Sequence, residues 1–201
     1  MPFEDERISF KDWPAFRATT PQGLVPLMTL TDKNGKSTTR TQSNAMLRYV
    51  GAQKPVLYPQ DKFFDIDEAL GIVGDLEASF EPPFNIAYAP STLGYPADFA
   101  KADEGKQAIK QLRTKWVKEE MPKQLDYLVR LLDKNGGKWL ASTDGPTIVD
   151  CKAEPLLRSF TRGVVDYVPV NCLETHPKIV AYVKRFCALG PVKGRYTSGV
   201  Y

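Results

Sequence analysis

From Asp61 onward, apolar residues recur every three or four positions. Phe63, Ile66, Leu70, Val73, Leu76 and Phe80 form one stripe, the signature of an amphipathic helix. Glu81-Pro82-Pro83 predicts its end, because proline removes a donor and clashes with the preceding turn. The segment 85–96 then reads as a long loop. A second long helix places Ile109, Leu112, Trp116, Leu125, Leu128 and Leu132 on its buried side. Pro122 predicts a kink in it, and Asn135-Gly136-Gly137 a stop. Thr147-Ile148-Val149-Asp150 has the form of a capping box, so Asp150 reads as a buried structural acid. A last helix spans about Pro177 to Leu189, with Ile179, Val183 and Phe186 on one face.

The first quarter of the chain has a different grammar. Glu6 to Phe10 reads as a short strand, and Asp12 to Phe16 as a short helical segment. Leu24 to Leu30 is a strand-like apolar run, and Asp32-Lys33-Asn34-Gly35-Lys36 a hairpin turn. Ser37 to Arg40 reads as a polar edge strand. Gln42-Ser43 opens a helix carrying Ala45, Met46, Leu47, Tyr49 and Val50, with Thr41 or Ser43 capping its first amides. Lys54 to Gln60, with Pro55 and Pro59, reads as a linker. The expectation is an α/β unit over 1–54 followed by an all-helical unit over 61–201.

Composition narrows the function classes. The 201 residues are 42% hydrophobic and 25% charged, with a net charge of +3 spread along the chain. That balance gives no basic patch for nucleic acid, and no apolar run is long enough to span a membrane. The acidic start, Met1 to Arg7, is not a secretory signal, so a cytoplasmic location is expected. Cys151, Cys172 and Cys187 are odd in number and widely spaced, which predicts reduced thiols in a helical core. His176 is the only histidine, so no metal site is expected, and its place before Pro177 suits a surface or capping role.

Three features of the first quarter carry candidate chemistry. Val25-Pro26 heads a strand, where a cis bond turns the Val25 main chain outward and a trans bond does not. Thr41-Gln42-Ser43 sits at a helix start, either as a plain cap or as an amide-rich site for a carboxylate. Trp13 and Arg17 are either a core ring and a solvated cation or two donors for a second carboxylate. A ligand with a peptide-like middle and acidic ends uses all three, and glutathione is such a molecule.

These residues also carry a resemblance. Phe3 to Ile8, Asp12-Trp13-Pro14, Thr20 to Pro26, Gln42 to Tyr49 and Thr147 to Asp150 resemble, in order, sigma-class cytosolic glutathione S-transferases. The resemblance implies an incomplete thioredoxin-like N-terminal domain and an all-helical C-terminal domain. It implies that Val25, Gln42 and Ser43, with Leu24 and Pro26 beside them, hold the glutathione backbone and γ-glutamyl group. Trp13 and Arg17 then lie near the glycyl end. Arg17 stands where a lysine is more usual, and Leu24 where a polar residue is.

Further implications are glutathione as co-substrate, a small-molecule electrophile near Tyr88, Tyr95 or Trp116, and a homodimer, with Phe63 and Phe64 as contact candidates. Members of that class carry a further strand and helix ahead of the point matching Pro2. The strand ends near a tyrosine that stabilises the glutathione thiolate. No residue here is assigned that catalytic role, since no tyrosine precedes Tyr49. The two readings left open are a transferase and a non-catalytic binding protein on the same fold.

Overall fold

A computed structural model describes residues 3–194. The chain separates into two compact units that meet in sequence between Pro59 and Gln60.

The first unit opens with coil, then helix α1 (Trp13–Thr19), whose first turn accommodates Pro14. Strands β1 (Met28–Thr31) and β2 (Ser37–Arg40) form an antiparallel pair, with Met28 opposite Arg40 and Thr31 opposite Ser37. The turn between them closes because Asp32 Oδ1 accepts the N–H groups of Asn34 at 2.8 Å and Lys36 at 3.0 Å. Gly35 supplies the left-handed conformation that turn needs, with φ of 79°. Helix α2 (Ser43–Ala52) follows.

Two expectations for this unit fail. Glu6 to Phe10 forms no strand, and Phe10 is 99% exposed. A strand exists only by pairing, and among the described residues β1 and β2 are the whole sheet. The run from Leu24 also joins the ladder late, at Met28, because Pro26 has no N–H to donate. The unit buries little: Met46 and Thr20 are its main buried side chains.

The second unit is helical. Helices α3 (Phe63–Tyr88), α4 (Asp103–Lys115), α5 (Met121–Lys134), α6 (Ile148–Phe160) and α7 (Pro177–Cys187) surround one core. Ile66, Leu70 and Val73 of α3, Leu125 and Leu128 of α5, Val149 and Leu157 of α6, and Ile179 and Val183 of α7 are all at most 2% exposed, with α5 and α6 packed on both α3 and α7.

Helix α3 runs through Pro82 and Pro83 to Tyr88, so the predicted stop is wrong and part of the predicted loop is helix. A proline inside a helix costs about 3 kcal/mol. Packing offsets that here, because the Phe80 ring lies 4.7 Å from Trp116 and 5.0 Å from Phe160, with Pro83 and Ile86 also buried. The kink expected at Pro122 takes the form of a π-helical turn, Trp116–Glu120, just ahead of that residue. The wider turn lets α4 pass into α5 with Pro122 in the first turn, where its missing N–H costs nothing. On α4 the inward residue is Arg113, 1% exposed, whereas Leu112 is half-buried.

Helix α5 ends at Lys134 with Asn135 as its cap, after which Gly136 and Gly137 both have φ of 78° and the Gly137 N–H bonds the Leu132 carbonyl at 2.6 Å. Helix α6 opens with the expected capping box between Thr147 and Asp150. Helix α7 opens at Pro177 as expected and ends at Cys187, short of Leu189.

Candidate functional site

The residues singled out from sequence all lie in the first unit, where local structure brings several together. Helix α1 carries Trp13 and Arg17 one turn apart. Trp13 is half-buried with its ring 6.3 Å from Phe16, and Arg17 is exposed. The Arg17 side chain folds onto the next loop, where its Nε lies 3.3 Å from the point a Cβ on Gly23 would occupy. Gly23 has φ of 65°, which suits a residue without a side chain in that close approach.

The loop continues through Leu24 and Val25, 59% and 52% exposed, to a cis Val25–Pro26 peptide. Among the described residues, no hydrogen bond reaches the Val25 main chain, so its N–H and C=O stand free beside the strand.

The start of α2 adds a feature that the sequence did not signal. The cap residue is Gln42 itself, with φ of 73° and ψ of 98°, and no side chain caps the helix. This corrects the expectation that Thr41 or Ser43 does so. A non-glycine residue held at positive φ is strained, and such strain clusters at ligand clamps. Gln42 Nε2 donates to Gln22 Oε1 at 3.1 Å, which ties the helix start to the loop before Val25. Gln22 lies in the Thr20–Pro26 motif, but a contact across twenty residues leaves no local signature of this role. Ser43 is exposed at the first helical position, where the positive end of the helix dipole lies.

This arrangement offers peptide-like pairing at Val25, an anion-favouring helix start at Ser43 and a guanidinium at Arg17. It offers no activated nucleophile. Among the described residues, no group of His, Cys, Asp and Glu is placed to hold a metal ion.

The three cysteines lie in the second unit and are unpaired. Cys172 sits in a loop rather than in a helix. Burial pushes the thiols of Cys151 and Cys172 up to about 11. Burial and the Glu154 carboxylate, 3.1 Å from Cys187 Sγ, push that thiol up to about 12. A raised thiol pKa favours the protonated fold below the ordinary value of 9.0, an advantage lost as pH rises through 11 to 12. At neutral pH, alkylation of the native thiols by iodoacetamide is therefore expected to run about 100-fold slower than in denaturant. Mass spectrometry over time checks this, and equal rates in both states contradict it.

His176 is the N-cap residue of α7, as one of the two expected roles has it, and it is half-buried, but its side chain makes no capping hydrogen bond. Its Nε2 lies 3.2 Å from Asp126 Oδ1 and its Nδ1 2.9 Å from Thr175 Oγ1, so it bridges α5 and the start of α7. Trp116 is 2% exposed and donates its indole N–H to Ser79 Oγ, which removes it from the residues that can touch a bound electrophile.

A unit with a small antiparallel sheet followed by a helical bundle is consistent with part of a thioredoxin-like domain ahead of an all-helical one, the order that the resemblance to glutathione S-transferases implies, and comparison with known proteins agrees. The family described as Glutathione S-transferase, C-terminal domain, matches residues 95–194. The chain is 27% identical over 197 residues to the class-mu 28 kDa glutathione S-transferase of Schistosoma bovis, covering 98% of this chain and 82% of that one. It is 35% identical over 79 residues to the Schistosoma japonicum protein of the same name, covering 39% of this chain and 38% of that one. Among solved structures, a sigma class transferase from Fasciola hepatica superposes with a TM-score of 0.68 at 23% identity, covering 91% of this chain and 77% of the other. The chain belongs to the glutathione S-transferase family. Conjugation of glutathione is that family's function.

Proposed function

We propose that residues 1–54 bind glutathione and that the protein transfers it to small electrophiles, with residues 61–201 as the helical domain. One observation carries the reading. A main chain free at Val25 and a strained, uncapped helix start at Gln42 are linked through the Gln22–Gln42 hydrogen bond.

The donor set fits the tripeptide. The Val25 N–H and C=O pair with its cysteinyl residue as an added strand would. The helix start at Gln42 and Ser43 receives the γ-glutamyl carboxylate, favoured by the Ser43 hydroxyl and the positive end of α2. Trp13 and Arg17 face the glycyl carboxylate. Neither the indole N–H nor the guanidinium has a hydrogen-bond partner among the described residues, so both are free to donate. Leu24 and Pro26 shape the loop without donating. When bound, glutathione supplies the thiol that attacks the electrophile, while these residues orient it.

Sigma-class membership, detoxification of electrophiles, a homodimer and a cytoplasmic location belong to the same reading. The fold likeness to the Fasciola hepatica protein supports the class. Phe63 and Phe64, 46% and 72% exposed at the start of α3, support the dimer contact.

A second reading, binding without turnover on the same fold, rests on the same donors at Val25, Gln42 and Arg17, which hold the tripeptide without themselves activating its thiol. Calorimetric titration with glutathione, together with a conjugation assay on a chlorinated nitroaromatic, separates the two. Binding with turnover supports the transferase, binding alone the second reading, and no binding ends both. Ser43→Ala is expected to weaken glutathione binding about tenfold, the usual worth of one hydrogen bond to a charged group.

A further inference from the structure

The tetrapeptide Asp-Lys-Asn-Gly occurs twice in the chain, at 32–35 and at 133–136. Asparagine before glycine is the pairing most open to one spontaneous reaction. The glycine nitrogen attacks the asparagine Cγ, and with no Cβ on the glycine nothing hinders the approach. The other asparagines, Asn44, Asn85 and Asn171, precede Ala45, Ile86 and Cys172, whose side chains stand in the way. Local sequence makes the two glycine sites equals, so only the fold can separate them.

The fold holds them differently. Asn135 caps the end of α5. Its N–H donates to the Leu131 and Leu132 carbonyls at 3.0 and 3.2 Å, and its Nδ2 donates to the Leu140 carbonyl at 2.7 Å. Leu140 is fully buried, so this carboxamide is tied to the core of the helical unit. Asn34 is exposed in the turn between β1 and β2. Among the described residues no hydrogen bond reaches its carboxamide, and a Cβ on Gly35 would meet nothing within 4 Å. One contact resists the attack: the Gly35 N–H donates to the Asp32 carbonyl at 3.0 Å. That bond belongs to an exposed turn closing two short strands, where local opening is easy.

We infer that Asn34 is a site of spontaneous covalent modification through a succinimide, and that the fold protects Asn135 from the same reaction. The Gly35 nitrogen forms a bond to Asn34 Cγ, the Cγ–Nδ2 bond breaks, and the side-chain nitrogen leaves as ammonia with the proton of the Gly35 N–H. Water then opens the ring. Cleavage between Cγ and the Gly35 nitrogen leaves aspartate, and cleavage between the main-chain carbonyl carbon and that nitrogen leaves isoaspartate. Either product puts a carboxylate close to that of Asp32. Isoaspartate also lengthens the main chain by a methylene group, so Asp32 Oδ1 can no longer accept the N–H groups of residues 34 and 36 together, as it now does at 2.8 and 3.0 Å. The hairpin that leads into Gln42 therefore loosens as the protein ages. None of this depends on whether glutathione binds.

The test is incubation of the full chain in mildly alkaline buffer, native and in urea. Peptide mass spectrometry locates the mass gain of an amide becoming an acid, and chromatography separates isoaspartate from aspartate. In native buffer Asn34 is expected to convert at least about tenfold faster than Asn135, which must first break its bond to Leu140 and leave the core. In urea the two rates are expected to agree within about twofold, because the local sequence is the same. Asp32→Ala removes two contacts that close the turn, so it is expected to speed conversion of Asn34 several-fold and leave Asn135 unchanged. Equal native rates, faster conversion of Asn135, no conversion of Asn34, a gap that persists in urea, or an unaltered or slower Asn34 rate in Asp32→Ala overturns the inference.

Discussion

Asp150→Ala is expected to cost the helical unit about 3–5 kcal/mol, because each buried donor left without its acceptor costs about 1–3 kcal/mol. The carboxylate is fully buried and serves four donors. Its Oδ2 accepts the Thr147 N–H at 2.7 Å and the Thr147 hydroxyl at 3.1 Å. Its Oδ1 accepts the Leu140 N–H at 3.1 Å and the Tyr182 hydroxyl at 3.0 Å. One side chain thus joins the start of α6, the strap before it and the centre of α7. Burial raises the Asp150 carboxyl, while the amides of Thr147 and Leu140 pull it back. The methyl group of alanine strands all four donors in a core too tight for water to replace the carboxylate. For a domain of this size the loss lowers the melting temperature by about 10 °C. Thr147→Ala is the calibrating control, expected to cost about 1 kcal/mol as an ordinary cap loss. Urea denaturation followed by circular dichroism reads both. An Asp150→Ala variant no less stable than Thr147→Ala contradicts the four-donor account.

The capping box shows which features were legible in the sequence. It is written in four consecutive residues, and so is the hairpin at Asp32 to Lys36. Both could be read because the chemistry that makes them is local. Where the outcome depends on distant partners, the reading fails in a definite direction. Pro82 and Pro83 look like a helix stop, yet α3 continues because Phe80 is fixed by Trp116 and Phe160, far along the chain. Glu6 to Phe10 has strand-like composition, but composition carries no pairing partner. Arg113 reads as a solvated cation until the fold turns it inward, and the hydrophobic pattern names its neighbour Leu112 instead. The candidate site divides in the same way. Val25-Pro26 and Gln42-Ser43 stand out as motifs, whereas the left-handed backbone at Gln42 and its tether to Gln22 depend on how loop and helix meet.

Gly105→Ala sets local propensity against tertiary contact most directly. Gly105 lies inside α4, where alanine is the better helix former by about 1 kcal/mol, so propensity alone expects a gain. The fold argues the reverse. A Cβ built on Gly105 falls 1.9 Å from the Phe99 carbonyl oxygen and 2.7 Å from its carbon, distances that require backbone to move. That oxygen is not free to retreat, since it accepts the Ala102 N–H at 3.1 Å in the turn leading into α4. Phe99 is also held by Tyr95, whose ring stacks on it at 4.2 Å. Relief of the clash therefore breaks a hydrogen bond and disturbs a ring pair. The expected cost is about 2–4 kcal/mol, the sum of overpacking and one lost bond. Gly71→Ala is the matched comparison, also inside a helix, on an exposed face of α3 with nothing near the added methyl. It is expected to stabilise the protein by about 0.5–1 kcal/mol. Opposite signs for one chemical change, read from urea midpoints, are what the close approach of Phe99 demands, and a shared sign removes that contact from the account of how α4 begins.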